Sequence, residues 1–256
     1  MANRMKRALH SGHVVYGSWL ATCSPIAAEI MAHAGHDFLM IDGEHSPVSY
    51  ETVLAMAQAM SATPCTPLMR VSSNDPAKIK QALDVGIQGV IVPMVNSAEE
   101  ARAAVAACRY PREGTRGFAS SRASLWGATM PEYVRSANED TCVILQVEHP
   151  AAVENIDEIL AVPGIDVAYV GVADLASFMG FTGQISELDA SVDAAIDCVV
   201  SAAGKARVPL GIHCLSPEAA ARRIRQGFRF MAIGGDARYI GGTARQQLQE
   251  TKRLVR

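Results

Sequence analysis

The chain has 256 residues, 49% of them hydrophobic and 19% charged. That supplies one sizeable core and comes close to the roughly 250 residues of a typical eight-stranded α/β barrel. A formal net charge of −3, with no Lys/Arg-rich tract, excludes the basic footprint of a nucleic-acid binder. No apolar run reaches the roughly 18 residues of a membrane span, and none follows the basic N-terminal residues as a signal-peptide core would, so the expectation is a cytoplasmic protein with no membrane association. The six cysteines are scattered without a C-x-x-C pair, which fits reduced thiols and not a disulfide framework or zinc site.

In chain order, short β-branched runs alternate with alanine-rich helical stretches. The expected strands are VVYGSWL from Val14, FLMID from Phe38, TPLMRV from Thr66 and GVIVPMV from Gly89. They continue with CVILQVE from Cys142, DVAYVGV from Asp166, VPLGIHC from Val208 and FRFMAIGG from Phe228. Between them, SPIAAEIMAHAG, DPAKIKQALDVG, SAEEARAAVAACRY and SPEAAARRIRQG open on a capping residue followed by Pro or Glu, or close on Gly. The strand runs are continuously apolar, as in a parallel sheet covered on both faces. About eight strand–helix pairs with no linker between them predict one (β/α)₈ barrel over residues 1–256; a doubly wound sheet normally has fewer strands. The stretch from Tyr110 to Asp140 reads as one long irregular loop, a length often associated with function.

Active sites in such barrels lie at the C-terminal ends of the strands. The polar residues expected there are Asp42-Gly43-Glu44-His45 after the second strand, Arg70 at the third, Gln146-Val147-Glu148-His149 at the fifth and Asp174 at the sixth. Glu148 and Asp174 are one strand–helix unit apart, which places two carboxylates on adjoining strands about 4.8 Å apart. Two carboxylates with positions left for water and substrate suit a hard divalent ion such as Mg²⁺ or Mn²⁺. An ion of that kind, chelated by a 2-oxo acid, favours its enolate, and Arg70 supplies a fixed cation for the developing charge. His45 has the intrinsic acidity to move a proton near neutral pH. The other route to an enolate equivalent is a Schiff-base lysine, but Lys6, Lys78, Lys80, Lys205 and Lys252 fall in helices or at a strand's N-terminal approach.

Each residue also has a plainer reading. Asp174 precedes a helix start and is as well explained as its cap. Arg70 alone fits a structural ion pair, and His45 a surface histidine. Trp19 is core or pocket wall with equal merit. His149 points away from Glu148 along a strand and reads as packing. Asp75-Pro76 reads as a helix cap with Pro in the first turn, and Gly234-Gly235 as a tight turn more than a phosphate cradle.

Taken together, GSWL, IDGEHSP, MRVSSNDPAKIKQALDVGIQGVIVPMV, RYPREGTRG, VILQVE and GVADLASFMG resemble, in order across nearly the whole chain, the HpcH/HpaI family of class II pyruvate aldolases. Its members include 4-hydroxy-2-oxo-heptane-1,7-dioate and 2-keto-3-deoxy-sugar-acid aldolases. The resemblance implies a (β/α)₈ barrel, a Mg²⁺, Mn²⁺ or Co²⁺ ion, and reversible aldol addition of pyruvate or a related 2-oxo acid to an aldehyde. It implies Glu148 and Asp174 as metal ligands, Arg70 on the pyruvate oxygen and His45 as acid–base group. It implies Asp84 as a carboxylate that partners such a histidine from an adjacent subunit; by itself Asp84 reads as a surface residue at a helix end. Trp19, Gln146 and the Ala173–Asp174 backbone would then line the substrate pocket. The resemblance further implies a homo-hexamer, a trimer of dimers, with the last helix packed on a neighbouring barrel. Val172 and Ala176 stand where many members have proline and serine. Two other readings are a CoA-thioester lyase related to the citrate lyase β branch, which would need a basic patch for the CoA phosphates, and a non-catalytic barrel that binds a small carboxylate.

Overall fold

The computed structural model describes residues 3–181 and 190–255. Among them, eight parallel strands close into a barrel in chain order: β1 (Val15–Leu20), β2 (Phe38–Asp42), β3 (Thr66–Arg70), β4 (Gly89–Val92), β5 (Cys142–Val147), β6 (Val167–Val170), β7 (Leu210–Cys214) and β8 (Phe230–Gly235). The last strand pairs with the first, Val15 standing opposite Phe230. Helices between the strands form the outer layer, so the expected (β/α)₈ barrel is what the chain builds.

Side chains alternate along each strand, and both sets are buried. One set, including Leu39, Ile41, Val90, Val143 and Leu145, packs outward against the helices. The other, including Phe38, Met40, Leu68, Ile144, Tyr169 and Phe230, fills the barrel. This double burial is why the strands read as continuous apolar runs. At the barrel floor Phe38 and Phe230 stack with centroids 4.0 Å apart, and the helix Arg4–His10 closes the bottom by burying Met5 and Leu9. The outer helices start where the capping signals place them. Ser24, Ser49, Asp75, Ser97 and Ser216 each accept a hydrogen bond from a first-turn amide.

Three expectations change. The fourth strand stops at Val92 because Pro93 has no amide to donate and Met94 takes a left-handed φ of 54°. The sixth stops at Val170, and a helix, Val172–Phe178, begins at once. The stretch from Tyr110 to Asp140 is not one loop: it holds a 3₁₀ turn, Arg122–Ser124, and a helix, Met130–Asp140, with Pro131 in its first turn. That helix buries only Ala137 completely, so it carries almost no apolar periodicity to announce it.

The last helix, Asp236–Leu254, buries only Asp236 and leaves Ile240, Leu248 and Leu254 exposed. No helix among the described residues is long and apolar enough to cross a membrane.

Candidate active site

The mouth of the barrel is built by inward-facing residues at the ends of β2, β3 and β5. Asp42 and Arg70 stand opposite each other in the β2–β3 register. Arg70 Nε donates to Asp42 Oδ1 at 3.0 Å and Nη2 to Oδ2 at 2.8 Å, a two-pronged ion pair. Nη1 lies 3.1 Å from Glu44 Oε2, and the guanidinium carbon sits 4.6 Å from the centre of the Trp19 ring. The Glu44 and His45 amides also donate to Asp42 Oδ1. Burial pushes the Asp42 carboxyl up, but Arg70 and these two amides outweigh it and hold it below the usual range. Arg70 is thereby fixed in place and kept charged.

Glu148 follows β5 and is only 2% exposed. Its Oε1 accepts from the Met94 amide at 2.8 Å, and its Oε2 from Gln146 Nε2. Burial raises its pKa, the two donors lower it, and the neighbouring carboxylates Asp174 and Glu44 raise it again, leaving it at about 7. Glu44 is pushed up in turn, first by burial and then, against the pull of Arg70 and His45, by Asp42 and Asp174. Gly171 makes room for this arrangement: a Cβ there would lie 2.7 Å from both Cβ and Oε2 of Glu148.

Asp174 is not at a strand end and is not the helix cap. It sits in the first turn of Val172–Phe178, whose N-cap is Gly171 and has no side-chain cap bond. The chain turns at Gly171, so the helix rather than the strand brings Asp174 toward Glu148.

Of the other expected residues, Trp19 is a wall of the mouth beneath Arg70, and Gln146 is buried beside Glu148. Ala173 is exposed in the same helical turn as Asp174. His45 stands on the rim, 61% exposed, with Glu44 Oε2 at 3.7 Å. Asp84 ends the helix Pro76–Asp84, from which the chain re-enters the barrel at β4; it accepts from Arg116 Nη2 at 2.9 Å. Within one chain, then, Asp84 and His45 are not brought together. His149 caps the helix Pro150–Glu154 through Nδ1 and packs on Phe178. Gly234 takes a φ of 59°, a turn conformation. Sequence reasoning assigned no role to Asp42 or Glu44, although both lie within the quoted IDGEHSP motif.

The donor set suits a hard divalent cation. Among the described residues no three His, Cys, Asp or Glu side chains converge as a metal-binding group. The oxygens on offer are those of Glu148 and Asp174, with Glu44 already drawn to Arg70. A buried carboxyl whose proton affinity is raised by two neighbouring carboxylates is the environment a cation relieves. One buried oxygen beside Glu148, Gln146 Oε1, also lacks a hydrogen bond here. Native interiors rarely leave such atoms unpaired.

Residues 16–240 match the family model described as HpcH/HpaI aldolase/citrate lyase. The chain is 43% identical over 248 residues to a 4-hydroxy-2-oxo-heptane-1,7-dioate aldolase of Shigella sonnei, covering 95% of this chain and 93% of that one. It is 45% identical over 240 residues to the protein of the same name from Klebsiella pneumoniae, with 92% and 89% covered. The crystal structure of an HpcH/HpaI aldolase/citrate lyase family protein from Burkholderia cenocepacia superposes with a TM-score of 0.92 at 34% identity, covering 98% of this chain and all of that one. With the barrel, the motif order and these whole-length similarities in agreement, the chain belongs to the HpcH/HpaI aldolase/citrate lyase family.

Proposed function

We infer that this chain is a class II pyruvate aldolase, which reversibly cleaves 4-hydroxy-2-oxo acids to pyruvate and an aldehyde. The observation that carries the reading is the pairing of a fixed guanidinium, Arg70, with a buried carboxylate, Glu148, crowded by Asp174 and Glu44 at one barrel mouth. Whole-length relatives named as aldolases support this over a CoA-thioester lyase or a non-catalytic barrel.

Glu148 and Asp174 would hold the divalent ion, Mg²⁺, Mn²⁺ or Co²⁺. When bound, such an ion supplies Lewis-acid polarisation of the 2-oxo group. Gln146 orients Glu148, and the Met94 amide fixes its other oxygen. Arg70, immobilised by Asp42 and Trp19, places positive charge where the enolate oxygen develops, with no reorganisation needed at the moment of reaction. The amides of Ala173 and Asp174, with no side-chain cap over that turn, are available to the substrate carboxylate. His45 on the rim transfers the proton of the aldehyde-derived hydroxyl. Its partner is Asp84 from a second copy of the chain, presented by Arg116. The exposed apolar face of Asp236–Leu254 supports an assembly in which that helix packs on a neighbouring barrel, in a homo-hexamer.

The test is a pyruvate-release assay on a panel of 4-hydroxy-2-oxo acids after EDTA treatment, with Mg²⁺, Mn²⁺ and Co²⁺ added back in turn. Activity is expected to fall at least 100-fold on chelation and to return with metal, in line with the several kcal/mol that metal polarisation contributes. Cleavage indifferent to EDTA would overturn the metal-dependent mechanism.

A further inference from the structure

One motif, RYPREGTRG, takes no part in the mouth of its own barrel. After the helix Ala98–Cys108 the chain turns tightly at Gly114, where a Cβ would collide with the carbonyl oxygens of Ala106 and Arg109. The turn delivers Arg116 to the interior, its side chain 0% exposed. The guanidinium carbon lies 4.5 Å from the centre of the Tyr110 ring and 5.7 Å from that of Tyr133. The two rings stand edge-on to each other. Asn138, on the same helix as Tyr133, locks Tyr110 in place: its Oδ1 accepts from the Tyr110 amide at 2.7 Å, and its Nδ2 donates to the Tyr110 carbonyl oxygen at 3.2 Å.

From this aromatic box Arg116 Nη2 donates to Asp84 Oδ1 at 2.9 Å. Among the described residues the other Asp84 oxygen accepts no hydrogen bond, and its side chain is 21% exposed. A second arginine of the same stretch grips the backbone just beyond. Arg122 Nη1 donates to the Val85 carbonyl oxygen at 3.3 Å, and Nη2 to that of Ala57 at 3.3 Å. Gly86 leaves it room, since a Cβ there would collide with Nη1. The stretch from Tyr110 to Asp140 therefore holds Asp84 twice, by its carboxylate and by the carbonyl of its neighbour.

Stability alone is a poor reason for this arrangement. Burying a guanidinium against one half-open carboxylate costs desolvation that the ion pair barely repays, and the two tyrosine faces offset only part of it. What the box does secure is direction. A planar fork held between rigid rings fixes where the free oxygen of Asp84 points.

We propose that Arg116 is a positioning residue acting across the subunit boundary: seated between Tyr110 and Tyr133, it aims Asp84 at the His45 of a second copy. The Tyr110–Asp140 stretch then serves a neighbour's site and not that of its own chain. The proposal rests on the aldolase reading above and on its pairing of His45 with Asp84 between copies. Arg116 touches no substrate and moves no proton. It acts through Asp84, as a carboxylate behind a catalytic histidine holds the imidazole in its working orientation.

Mixed oligomers separate action across copies from action within a chain. Chains carrying Arg116→Met and His45→Ala are co-expressed with different affinity tags, and oligomers holding both are isolated through each tag in turn. Pyruvate release from a 4-hydroxy-2-oxo acid is measured with Mg²⁺ or Mn²⁺ present. Alone, His45→Ala should lose about 10²-fold, the contribution of one proton-transfer group. Arg116→Met alone should lose at least about tenfold, the size of one charge-assisted hydrogen bond. In the mixture about one site in four joins an intact His45 to an intact Arg116 from another copy, so activity should rise to roughly a quarter of wild type. Asp84→Asn mixed with His45→Ala is the reference and should recover likewise. Arg116→Lys, which keeps the charge but not the fork, should retain more activity than Arg116→Met. It replaces Arg116→Met in the mixing if size-exclusion chromatography shows that Arg116→Met does not assemble.

Recovery in the Asp84 mixture but not in the Arg116 mixture would overturn the proposal alone, as would an Arg116→Met protein of undiminished activity. No recovery in either mixture, or no mixed oligomers, would overturn the pairing between copies and the proposal with it. A wild type that releases no pyruvate would overturn the aldolase reading itself.

Discussion

The two ends of one strand pair, β5 and β6, hold buried carboxylates in opposite circumstances. At the floor, Asp166 is 5% exposed and fully engaged. It receives Lys6 Nζ at 3.0 Å, His10 Nε2 at 2.8 Å and the Val143 amide at 2.8 Å, with Arg109 Nη2 at 3.8 Å. Burial pushes its carboxyl up, but His10, Lys6 and the Val143 amide outweigh that and hold it below the usual range. At the mouth, Glu148 is 2% exposed and has two donors but, among the described residues, no cationic side chain beside it, and it faces Asp174 and Glu44; its pKa stands at about 7. Equal burial thus gives opposite proton affinities, and the sign depends on the partners. The floor is a satisfied network that closes the barrel. The mouth keeps a charge imbalance that a cation and an anionic substrate would relieve, consistent with catalysis at the C-terminal face and stability at the other.

Neutralising each carboxylate in turn tests the contrast most sharply. Glu148→Gln keeps the shape and an acceptor for the Met94 amide but loses a charge assigned to the metal. We expect kcat/KM for 4-hydroxy-2-oxo acid cleavage to fall about 10³-fold or more, which corresponds to roughly 4 kcal/mol of transition-state stabilisation. The same change should raise the melting temperature of the metal-free protein, because it removes a buried charge crowded by two others. A lower melting temperature would mean that the mouth is internally satisfied, as the floor is.

Asp166→Asn makes the reverse prediction. It leaves Lys6 and Arg109 without their buried counter-charge, so a loss of about 3 kcal/mol is expected, at the lower end for breaking a buried pair. For a chain of this size that corresponds to a melting temperature lower by about 6 °C in calorimetry. Pyruvate release at 25 °C should change little, since Asp166 is on the face opposite the mouth. A large drop in turnover without a shift in melting would contradict the division of roles.

The sequence carried the barrel and most of the mouth because both follow from short-range rules. Apolar runs, capping residues and one strand–helix period place Asp42, Arg70 and Glu148 at strand ends. Asp174 was harder, since nothing in GVADL marks Gly171 as the point where strand gives way to helix. Glu44, Tyr169 and His213 carried no assigned role. Tyr169 and His213 sit in runs that read as core, and only tracing the period-two alternation from Val167 to Tyr169, or from Gly211 to His213, turns them inward. Asp84 exposes a different limit. The pairing with His45 proposed for it would run between chains, and one chain's helix periodicity shows it only as a helix end held by Arg116.

Acid supplies the smallest and most selective test. Asp166 has a folded-state pKa below its unfolded value, near 3.9. Its contribution to stability is therefore fully present above about pH 4 and is lost as pH falls through the lower folded value. Denaturant titrations at stepped pH should show wild type and Asp166→Asn well separated between pH 5 and 7, then converging below about pH 4. The convergence measures the charge-dependent part of the floor network, which must be smaller than the total cost of the substitution because Asn also disturbs the hydrogen bond to Val143. If the gap stayed constant down to about pH 2, Asp166 would act through packing and hydrogen-bond geometry alone. The floor would then owe its stability to shape, and the contrast with the mouth would be one of fit rather than of charge.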